Sequence, residues 1–367
     1  MNIKFSKLNI SNKDISSVSK IFKSGWLTHG KYTKLFESEI KKITKAKYAT
    51  TVSSCTAGLH LSCIAAGFGS GDEVIVPSQT HTATAHAVEY TGAKAILTDT
   101  EHLTGNITLK EIKKKITKKT KGIIVVHMAG FACNMTSISN FCKKNKIILI
   151  EDCAHAVGTK WKNTHVGNFG ISGSFSFYPT KQITTGEGGA VFTNNLKIFK
   201  KIKKLKAFGI DKDIKERKKP GDYDVKGLGY NYRMTDFQAA LGYFQLKEYN
   251  KNLKRRHQIA QRYIANLSKL NNIEFLQFDK NNSYFIFQIF SKKRDKILSD
   301  FKKSNIGFSI HYKTPLNKMS YYKKKYKLNN KNFYHSNKYS DTNISLPNYP
   351  KLSNKEIDYI CEVIKNS

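Results

Sequence analysis

Short apolar runs alternate with segments of helical spacing from residue 48 to about residue 205. The runs typical of buried strands are YATTV, DEVIVP, AKAILTD, GIIVVH and KIILIED. Between them lie segments with the spacing of a helix face, such as TAGLHLSCIAAG, TATAHAVEY and MTSISNFCKKN. This alternation predicts an α/β fold in which helices cover a mostly parallel sheet. The active site of such a sheet is expected at the carboxyl ends of its strands.

The pattern changes at about residue 246. A helix is predicted over LKRRHQIAQRYIANL, followed by aromatic-rich strands at SYFIFQIF and NIGFSIHY and a closing helix at SNKEIDYICEVIKN. These elements predict a smaller α+β domain. We therefore divide the chain into a large domain, residues 1–245, and a small C-terminal domain, residues 246–367. Because no low-complexity linker separates them, the two domains are expected to pack closely.

The composition is that of a globular chain with a strong positive charge. Its 367 residues are 40% hydrophobic and carry a net charge of +36, almost all of it from lysine. The basic runs at 113–119, 197–206 and 323–327 lie in different regions and belong to no folded recognition motif. Base recognition favours forked arginine contacts, and single-strand binding favours aromatics along a basic groove. We therefore predict no nucleic-acid partner, but a general attraction for anions.

Two further features restrict the class of protein. No apolar run has the length of a signal peptide or approaches the roughly 20 residues that span a bilayer, so a cytoplasmic protein with no membrane partner is expected. The cysteines form no CxxC pair and show no metal-type spacing with histidine. We predict no metal site and no disulfide framework, and buried free thiols at Cys55, Cys63, Cys133, Cys142, Cys153 and Cys361.

Lys181 stands alone in SFSFYPTKQITTGEGG, residues 174–189, among aromatics, hydroxyls and glycines. No other lysine lies within fifteen positions of it, although lysine is abundant elsewhere. Burial lowers the pKa of a lysine toward the neutral amine that acts as a nucleophile, chiefly in Schiff bases with carbonyl groups. The alternative is an ordinary lysine that ends a strand and extends to water.

Two other segments carry candidate chemistry. KIILIEDCAHAVG ends a predicted strand with Glu151 and Asp152, and an aspartate there can keep a pyridine nitrogen protonated or cap the next helix. TVSSCTAGLHLS places Cys55, Thr56 and Ala57 at a predicted helix N-terminus, where backbone N–H groups bind phosphate. Every βα unit has such a turn, so this segment alone does not select a function.

Together these segments resemble the DegT/DnrJ/EryC1/StrS group of sugar aminotransferases, which are fold-type I enzymes that use pyridoxal phosphate (PLP). The resemblance covers nearly the whole chain in order. It runs through GWLTHGKYTKLFESE, SSCTAGLH, VIVPSQTHTATAHAVEYTGAKAILTD, IEDCAHAVG, SFSFYPTKQITTGEGG, LGYNYRMTDFQAALG, SIHY and SLPNYPKL. It implies a large domain with a mostly parallel seven-stranded sheet and a smaller α+β C-terminal domain. It also implies PLP as cofactor, with pyridoxamine phosphate (PMP) as its aminated form.

The resemblance assigns roles around the cofactor. Lys181 matches the lysine that holds PLP as an aldimine, and Asp152 matches the aspartate that faces the pyridine nitrogen. Ser176 matches a serine bound to the cofactor phosphate, and Thr56, with its two neighbours, matches the phosphate turn. His155 matches a His or Gln beside the phenolic oxygen of the ring.

Further assignments concern the ring platform, the partner subunit and the substrate. His81 occupies the position that stacks on the PLP ring, where the family commonly has an aromatic residue. Asn231 matches an asparagine that reaches the phosphate of the other subunit, which implies a homodimer with shared sites. The substrate-contacting positions are Trp26, Tyr178, Glu187, His311 and Tyr312.

Several positions depart from the family pattern or have a structural alternative. Cys55-Thr56 replaces the usual Gly-Thr, and HYKTPLN ends in Asn317 where the family has histidine. The Glu187 carboxylate either orients the loop or the amino donor, or binds backbone N–H groups of the glycine turn. His127 and His86 are expected to have structural roles.

The resemblance implies amino transfer from L-glutamate to a keto group of a nucleotide-linked deoxysugar, in amino-sugar or surface-glycan biosynthesis. The alternatives are a keto-cyclitol aminotransferase, a PLP-dependent sugar dehydratase, and a non-catalytic PLP-fold protein with a regulatory or nucleic-acid-binding role. The dehydratase branch has histidine at the position of Lys181, and a non-catalytic protein has no need of Lys181, Asp152 and Ser176 together. Specificity is expected to depend on the loops 210–228 and 311–322.

Overall fold

The structure is a computed structural model that describes residues 1–28, 30–212 and 216–367. Part of the predicted specificity loop, residues 213–215, and residue 29 of the GWLTHGKYTKLFESE segment lie outside the described residues. The helices are α1 (Asn12–Ser24), α2 (Lys31–Thr44), α3 (Cys55–Ala66), α4 (Thr82–Glu89), α5 (Leu109–Lys113), α6 (Met135–Lys144), α7 (Leu196–Leu205), α8 (Asp236–Lys247), α9 (Tyr249–Leu267), α10 (Arg294–Lys303), α11 (Ser320–Tyr326), α12 (Tyr334–Thr342) and α13 (Asn354–Lys365). The strands are β1 (Tyr48–Val52), β2 (Glu73–Pro77), β3 (Lys94–Thr98), β4 (Thr120–Val126), β5 (Ile148–Asp152), β6 (Lys160–Trp161), β7 (Thr164–His165), β8 (Ser172–Ser176), β9 (Gly189–Thr193), β10 (Phe287–Phe290) and β11 (Asn343–Leu346).

The central sheet of the described residues has seven strands in the order β1-β9-β8-β5-β4-β2-β3. The pairs from β8 to β3 are parallel, whereas β9 is antiparallel to both of its neighbours. The five strands predicted between residues 48 and 152 are therefore confirmed as β1 to β5. Their interior positions are almost entirely buried, as expected for strands covered by helices on both faces. The α/β fold class with a mostly parallel seven-stranded sheet is confirmed.

The C-terminal half contains one predicted strand and lacks another. β10 lies within SYFIFQIF and pairs antiparallel with β11, which was not predicted. The prediction of a strand at NIGFSIHY is wrong, because its backbone bonds to two different partners. Gly307 N–H donates to Ile3 O, at 2.6 Å, and Ser309 N–H donates to Ser345 O, at 3.2 Å. Only isolated bridges form, and no ladder of consecutive pairs develops.

Packing crosses the proposed boundary at residue 245, which falls near the end of α8. Ile3, at the N-terminus, lies in the core cluster formed mainly by α9, α10 and α13. Conversely, Leu316, Tyr322 and Phe333 pack in one cluster with side chains of β2, β3, α3 and α4. The division into 1–245 and 246–367 remains a proposal, and the contacts agree with the expectation that the two parts pack closely.

The structure shows the state of the cysteines and the length and apolar character of the helices. All six cysteines are buried free thiols, as predicted. Throughout the described ranges, no helix combines the length and the apolar character that crossing a bilayer requires.

Candidate active site

The carboxyl ends of β5 and β8 bring several predicted site residues to one edge of the sheet. Asp152 is the last residue of β5 and is paired in register with Ser174 of β8. Ser176 ends β8, and Cys55 begins α3 directly after β1. Because these ends meet at the same edge, residues far apart in sequence share one site, as the strand pattern predicted.

Asp152 is 4% exposed and is held from three sides. Its Oδ1 accepts hydrogen bonds from Ala154 N–H, at 3.0 Å, and from the Cys55 thiol, at 3.8 Å. Its Oδ2 accepts one from Thr84 Oγ1, at 2.9 Å. The alternative of a cap on the next helix is wrong, because turns rather than a helix follow Asp152. Instead, the hydrogen bond from Ala154 N–H, two residues further along the chain, closes a local turn at Asp152.

Lys181 follows β8 in a turn closed by its own N–H, which donates to Tyr178 O at 2.9 Å. Its Nζ lies 4.6 Å from the centroid of the Phe285 ring. Burial lowers its pKa to about 8, while Cys55 and Asp152 act in the opposite direction. An ammonium group in this position loses hydration, so it gives up its proton to become the neutral amine more readily. The position of Lys181 therefore favours the role of a nucleophile over that of an ordinary lysine whose side chain extends to water.

The α3 N-terminus has donors of the kind expected at a phosphate site. Ser54 caps the helix and accepts from Ala57 N–H, at 3.0 Å. The Ala57 N–H therefore has a partner within the chain, and the role of Ala57 in phosphate binding stays a prediction. The hydrogen bonds found among the described residues include none from the backbone N–H groups of Cys55 or Thr56. These two groups, at the positive end of the helix dipole, fit a phosphate.

A glycine lets β9 approach this turn closely. Gly189, at the start of β9, pairs with Ser176. A Cβ on Gly189 would lie 2.5 Å from the carbonyl carbon of Ser54, which real Cβ atoms do not tolerate. Ser176 is thereby placed beside the turn that Cys55 and Thr56 begin, so its hydroxyl and the two N–H groups can serve one anion.

His155 stacks on Phe285, with ring centroids 4.4 Å apart and planes at 22°. Its Nδ1 accepts from Ala129 N–H, at 3.3 Å, so in the neutral ring Nε2 carries the hydrogen and donates to Tyr312 Oη, 3.2 Å away. Burial, and then the charge of Lys181, hold the pKa of His155 well below its usual value. His155 is thus a neutral donor in the interior, fixed between a strand-end loop and Tyr312.

The neighbouring small-domain residues are also uncharged. Burial and Lys181 lower the pKa of His311 to about 3. The His311 Nδ1 lies 3.0 Å from Ser345 Oγ. Burial, followed by the charge of Asp152, raises the pKa of Tyr312. Tyr312 O also accepts from Gln79 Nε2, at 3.2 Å, which ties this loop to the large domain.

His81, the predicted ring platform, is the N-cap of α4 and is exposed. Its Nδ1 accepts from Ala83 N–H, at 3.2 Å, and its ring centroid lies 5.7 Å from that of Tyr312. Loss of hydration and the charge of Lys181 lower the pKa of its imidazole. His81 therefore lies at the rim of the cluster formed by Lys181, Asp152 and Tyr312.

Four predicted residues lie outside this cluster in the single chain. Trp26 and Tyr178 are 53% and 47% exposed, and Glu187 and Asn231 are also exposed. The Glu187 carboxylate makes no hydrogen bond within the described ranges, whereas Gly186 N–H is bound by Thr184 Oγ1. The alternative that this carboxylate binds N–H groups of the glycine turn is therefore wrong.

The structural histidines behave as expected, and the Asn317 side chain binds two other asparagines. His127 is buried and bonded to Glu151, with 3.1 Å between Nε2 and Oε2. His86 packs against the rings of Tyr90, Tyr321 and Tyr322. Asn317 is buried and donates to Asn330 and Asn337, so it supports the loop that follows Tyr312.

Thr84 and Phe285 are site residues that the sequence reasoning missed. Thr84 binds the Asp152 carboxylate, and Phe285 contacts both His155 and Lys181. Neither has a local signal, because Thr84 lies in an ordinary helical run and Phe285 in an aromatic strand segment of the other domain. Only the packing of α4 and of residues 283–286 onto the sheet brings them to the site.

This site fits PLP through the chemistry of its donors. It combines a buried amine, a buried carboxylate and unoccupied N–H groups at a helix N-terminus, which match the aldehyde, the ring nitrogen and the phosphate of that cofactor. The fold and the site define a PLP-dependent transaminase of fold type I.

Comparisons with known proteins give the family. The profile of the DegT/DnrJ/EryC1/StrS aminotransferase family matches residues 8–365. GDP-perosamine synthase of Escherichia coli O157:H7 is 34% identical over 361 residues, which cover 97% of this chain and 96% of that protein. The spore coat polysaccharide biosynthesis protein SpsC of Bacillus subtilis (strain 168) is 33% identical over 369 residues, with 97% and 95% covered. The chain belongs to the DegT/DnrJ/EryC1/StrS aminotransferase family.

A solved structure supports the same conclusion. The PLP-form of the putative sugar aminotransferase Spr1654 from Streptococcus pneumoniae superposes with a TM-score of 0.92 at 29% identity, with 100% of this chain and 98% of that chain covered. The PMP-form of the same protein gives a TM-score of 0.93. The predicted family, enzyme class and cofactor are confirmed, and the protein is a sugar aminotransferase of this family.

Proposed function

We propose that this enzyme transfers an amino group from L-glutamate to a keto group of a nucleotide-linked deoxysugar, in the cytoplasm, as a step toward amino sugars of surface glycans. The observation that carries the proposal is the pairing of Lys181, whose pKa is lowered to about 8, with the buried Asp152 at one sheet edge. The names of similar proteins support the acceptor class, since two are called GDP-perosamine synthase and one a spore coat polysaccharide biosynthesis protein.

Each cofactor-binding residue has a definite task. Bound PLP supplies an aldehyde for the amine and a ring that accepts electrons. The Lys181 Nζ would hold the cofactor and, as the free amine, would move a proton to and from the substrate carbon. Asp152 would accept a hydrogen bond from the ring nitrogen, while Ser176 and the N–H groups of Cys55 and Thr56 would hold the phosphate.

The substrate is expected to enter between the two domains. His155 donates toward Tyr312, and His81 lies at the rim beside the same ring, so both line the approach to Lys181. The side chains of Trp26, Tyr178 and Glu187 are exposed, which suits contacts with a large acceptor. A net charge of +36 attracts a diphosphate-linked substrate.

We further propose that the active unit is a homodimer with shared sites. Large apolar side chains are exposed around residues 228–236: Phe22 and Trp26 near one end of this segment, and Phe208 and Leu228 near the other. Leu27 O accepts from Asp236 N–H, at 2.7 Å, and Phe208 N–H donates to Tyr230 O, at 3.0 Å, so these residues adjoin the segment. From the family resemblance, we infer that a second copy of this chain covers these apolar side chains. Asn231, exposed in this segment, would then face the partner's phosphate.

The test is an assay of both half-reactions. PLP-loaded protein is incubated with L-glutamate and a panel of nucleotide-linked keto sugars, with 2-oxoglutarate and the aminated sugar measured by mass spectrometry. L-Aspartate, L-alanine, a free keto sugar and a keto-cyclitol serve as alternative substrates, and Lys181→Ala as the inactive control. We expect turnover only with glutamate and a nucleotide-linked acceptor. Turnover of the keto-cyclitol in preference to every nucleotide sugar would assign the enzyme to that other substrate class.

A further inference from the structure

The hydrogen bonds of Asp152 leave one acceptor position, and they identify the oxygen that carries it. An ionised carboxylate has about four lone-pair positions. Oδ1 accepts from Ala154 N–H at 3.0 Å, and its other side is covered by the Cys55 Sγ at 3.8 Å, whose single hydrogen is shared with Ser174 O at 3.6 Å. Oδ2 uses one, for Thr84 Oγ1 at 2.9 Å. The position that remains for a ring nitrogen is therefore on Oδ2, the oxygen to which Thr84 donates.

The proton of Thr84 has a defined direction. A hydroxyl donates one hydrogen, and an ionised carboxylate only accepts. The Thr84 hydrogen therefore goes to Asp152, and the Thr80 hydroxyl, 2.9 Å from Thr84 Oγ1, must donate to Thr84. Both threonines are at most 1% exposed, so no solvent competes for these bonds. Two hydroxyls in series point toward the carboxylate, and such chains reinforce each hydrogen bond.

The location of Thr84 ties the carboxylate to the proposed ring platform. Thr84 lies in the first turn of α4, and His81 is the N-cap of the same helix. A threonine in a helix has only two common χ1 rotamers, and the bonds to Thr80 and Asp152 select the one seen here, so the position of α4 sets the position of the hydroxyl. Any displacement of α4 thus moves the platform and the Asp152 partner together.

We propose that Thr84 is a positioning residue that fixes the rotation of the Asp152 carboxylate, so that Oδ2 accepts from the ring nitrogen of PLP. This inference rests on the proposed role of Asp152. Without the hydroxyl, the carboxylate keeps only its Oδ1 bonds and can turn about the Cβ–Cγ bond. The bond between Oδ2 and the ring nitrogen weakens, and with it the ability of the ring to accept electrons.

The experiment compares Thr84→Val with Thr84→Ser and with Thr98→Val. Valine removes the hydroxyl at nearly constant shape, whereas serine keeps it. Thr98 is an equally buried threonine on β3 whose hydroxyl donates to a backbone carbonyl, Glu111 O, at 3.1 Å. The readouts are the pH titration of the visible absorption band of bound PLP, the dissociation constant of PLP, and the single-turnover rate with L-glutamate.

We expect Thr84→Val to shift the midpoint of the band titration, to weaken PLP binding, and to slow the single turnover about tenfold, the usual effect of losing one hydrogen bond to a charged group. Thr84→Ser should restore all three, and Thr98→Val should match the wild type in all three. If Thr84→Val does not fold, Thr84→Ala replaces it with the same criteria, because alanine also removes the hydroxyl and introduces no new group.

The outcomes separate this inference from the proposal on which it rests. If Asp152→Asn loses turnover while the Thr84 variants keep the wild-type band titration and rate, the role of Thr84 is refuted and that of Asp152 stands. If Asp152→Asn is itself indistinguishable from the wild type, both assignments fail. A shift in Thr84→Val that Thr84→Ser does not restore would assign the effect to packing and overturn the inference.

Discussion

Glu151 and Asp152 are consecutive residues of β5 whose carboxylates bind entirely different partners. Glu151 is fully buried and accepts from the N–H groups of Gly167, Phe169 and Gly170, at 2.6 to 2.7 Å, and from His127. Asp152 accepts from Thr84, Cys55 and Ala154 at the site. Because successive side chains of a strand point to opposite faces, one carboxylate anchors a loop while its neighbour faces the proposed cofactor site.

Asp152→Asn tests the second of these roles. The amide is nearly isosteric, so we expect a folded protein, but it does not carry the charge that we propose keeps the pyridine nitrogen protonated. The expected loss is a rate reduction of about 10²-fold or more, measured as single turnover with a saturating amino donor. A folded Asp152→Asn protein with unaltered turnover would contradict the assignment.

Glu151→Gln is the matched variant and should have the opposite effect. Glutamine offers one acceptor oxygen and places an amide donor against backbone N–H groups, so the free energy of unfolding should fall by about 3 kcal/mol. Activity per folded molecule should be retained, because Glu151 does not face the site. Urea denaturation gives the stability, and active-site titration with PLP gives the folded fraction. Wild-type stability in Glu151→Gln would show that these bonds contribute little.

The pKa of Lys181 predicts how cofactor capture depends on pH. Only the neutral amine attacks the PLP aldehyde, so the rate of covalent incorporation into the apoenzyme should rise with pH and level off above about 8, rather than above the usual 10.5. Borohydride reduction at timed intervals, followed by mass spectrometry of the peptide that contains Lys181, measures this rate. A midpoint near 10.5 would mean that burial does not affect this amine.

The lowered pKa of Lys181 also predicts how the stability of the apoenzyme changes at alkaline pH. Between about 8 and 10.5 the unfolded chain binds a proton at Lys181 that the folded apoenzyme does not, so the stability of the wild-type apoenzyme should rise across that window. Lys181→Met should lack this component. Urea denaturation of both apoenzymes at a series of pH values gives the difference, and parallel curves would contradict the prediction.

Buried histidines predict sensitivity to acid. Burial lowers the pKa of His165 to about 4 and that of His311 to about 3, from 6.5. His165 Nε2 accepts from Gly158 N–H, at 2.9 Å, so protonation would break that bond. Unfolded histidines bind protons first as pH falls below 6.5, so each site should cost up to about 1.4 kcal/mol of stability per pH unit.

The measurement for this prediction is the free energy of unfolding of the apoenzyme at several pH values between 4 and 7. A His165→Gln variant should show a shallower decline, because it lacks one of the titrating groups. An equal slope in wild type and variant would mean that His165 titrates alike in the folded and unfolded chains.

The sequence predicted the features that depend on local pattern. Strands buried on both faces are largely apolar runs, so β1 to β5 could be predicted directly, and the position of Asp152 at a strand end followed from the same pattern. A capping signal was present but not used: Ser54 stands three residues before Ala57, the spacing at which an N-cap serine binds a helix N–H. The sequence therefore also carries a signal that the Ala57 N–H has a partner within its own turn.

Other features depend on tertiary packing and have no local signal. The bond from Thr84 to Asp152 exists because α4 packs against the sheet with one particular rotation, which helical spacing alone does not specify. The segment 305–312 has the composition of a strand, yet the available partners, Ile3 and Ser345, lie in two different segments. Pairing requires a free edge of sufficient length, and the composition of a segment does not show whether one exists.

The last prediction concerns Asn231, which is exposed although its neighbours are anchored. Tyr232 O accepts from Ser53 N–H, at 2.8 Å, next to the phosphate turn of the same chain. His60, on α3, packs against the rings of Tyr230 and Tyr232. The segment is thus fixed to its own α3 while the Asn231 side chain faces solvent, an arrangement suited to a partner's phosphate.

Complementation between two inactive or weakened chains decides which subunit Asn231 serves. Asn231→Ala should weaken PLP binding, because a phosphate loses a donor. When it is mixed with Lys181→Ala protein, one site of the mixed dimer combines Lys181 of one chain with Asn231 of the other, so activity should rise above that of Asn231→Ala alone. Subunit exchange is verified by native mass spectrometry of a size-tagged chain. If subunits exchange and activity does not rise, Asn231 acts within its own chain, where Tyr232 already holds the turn.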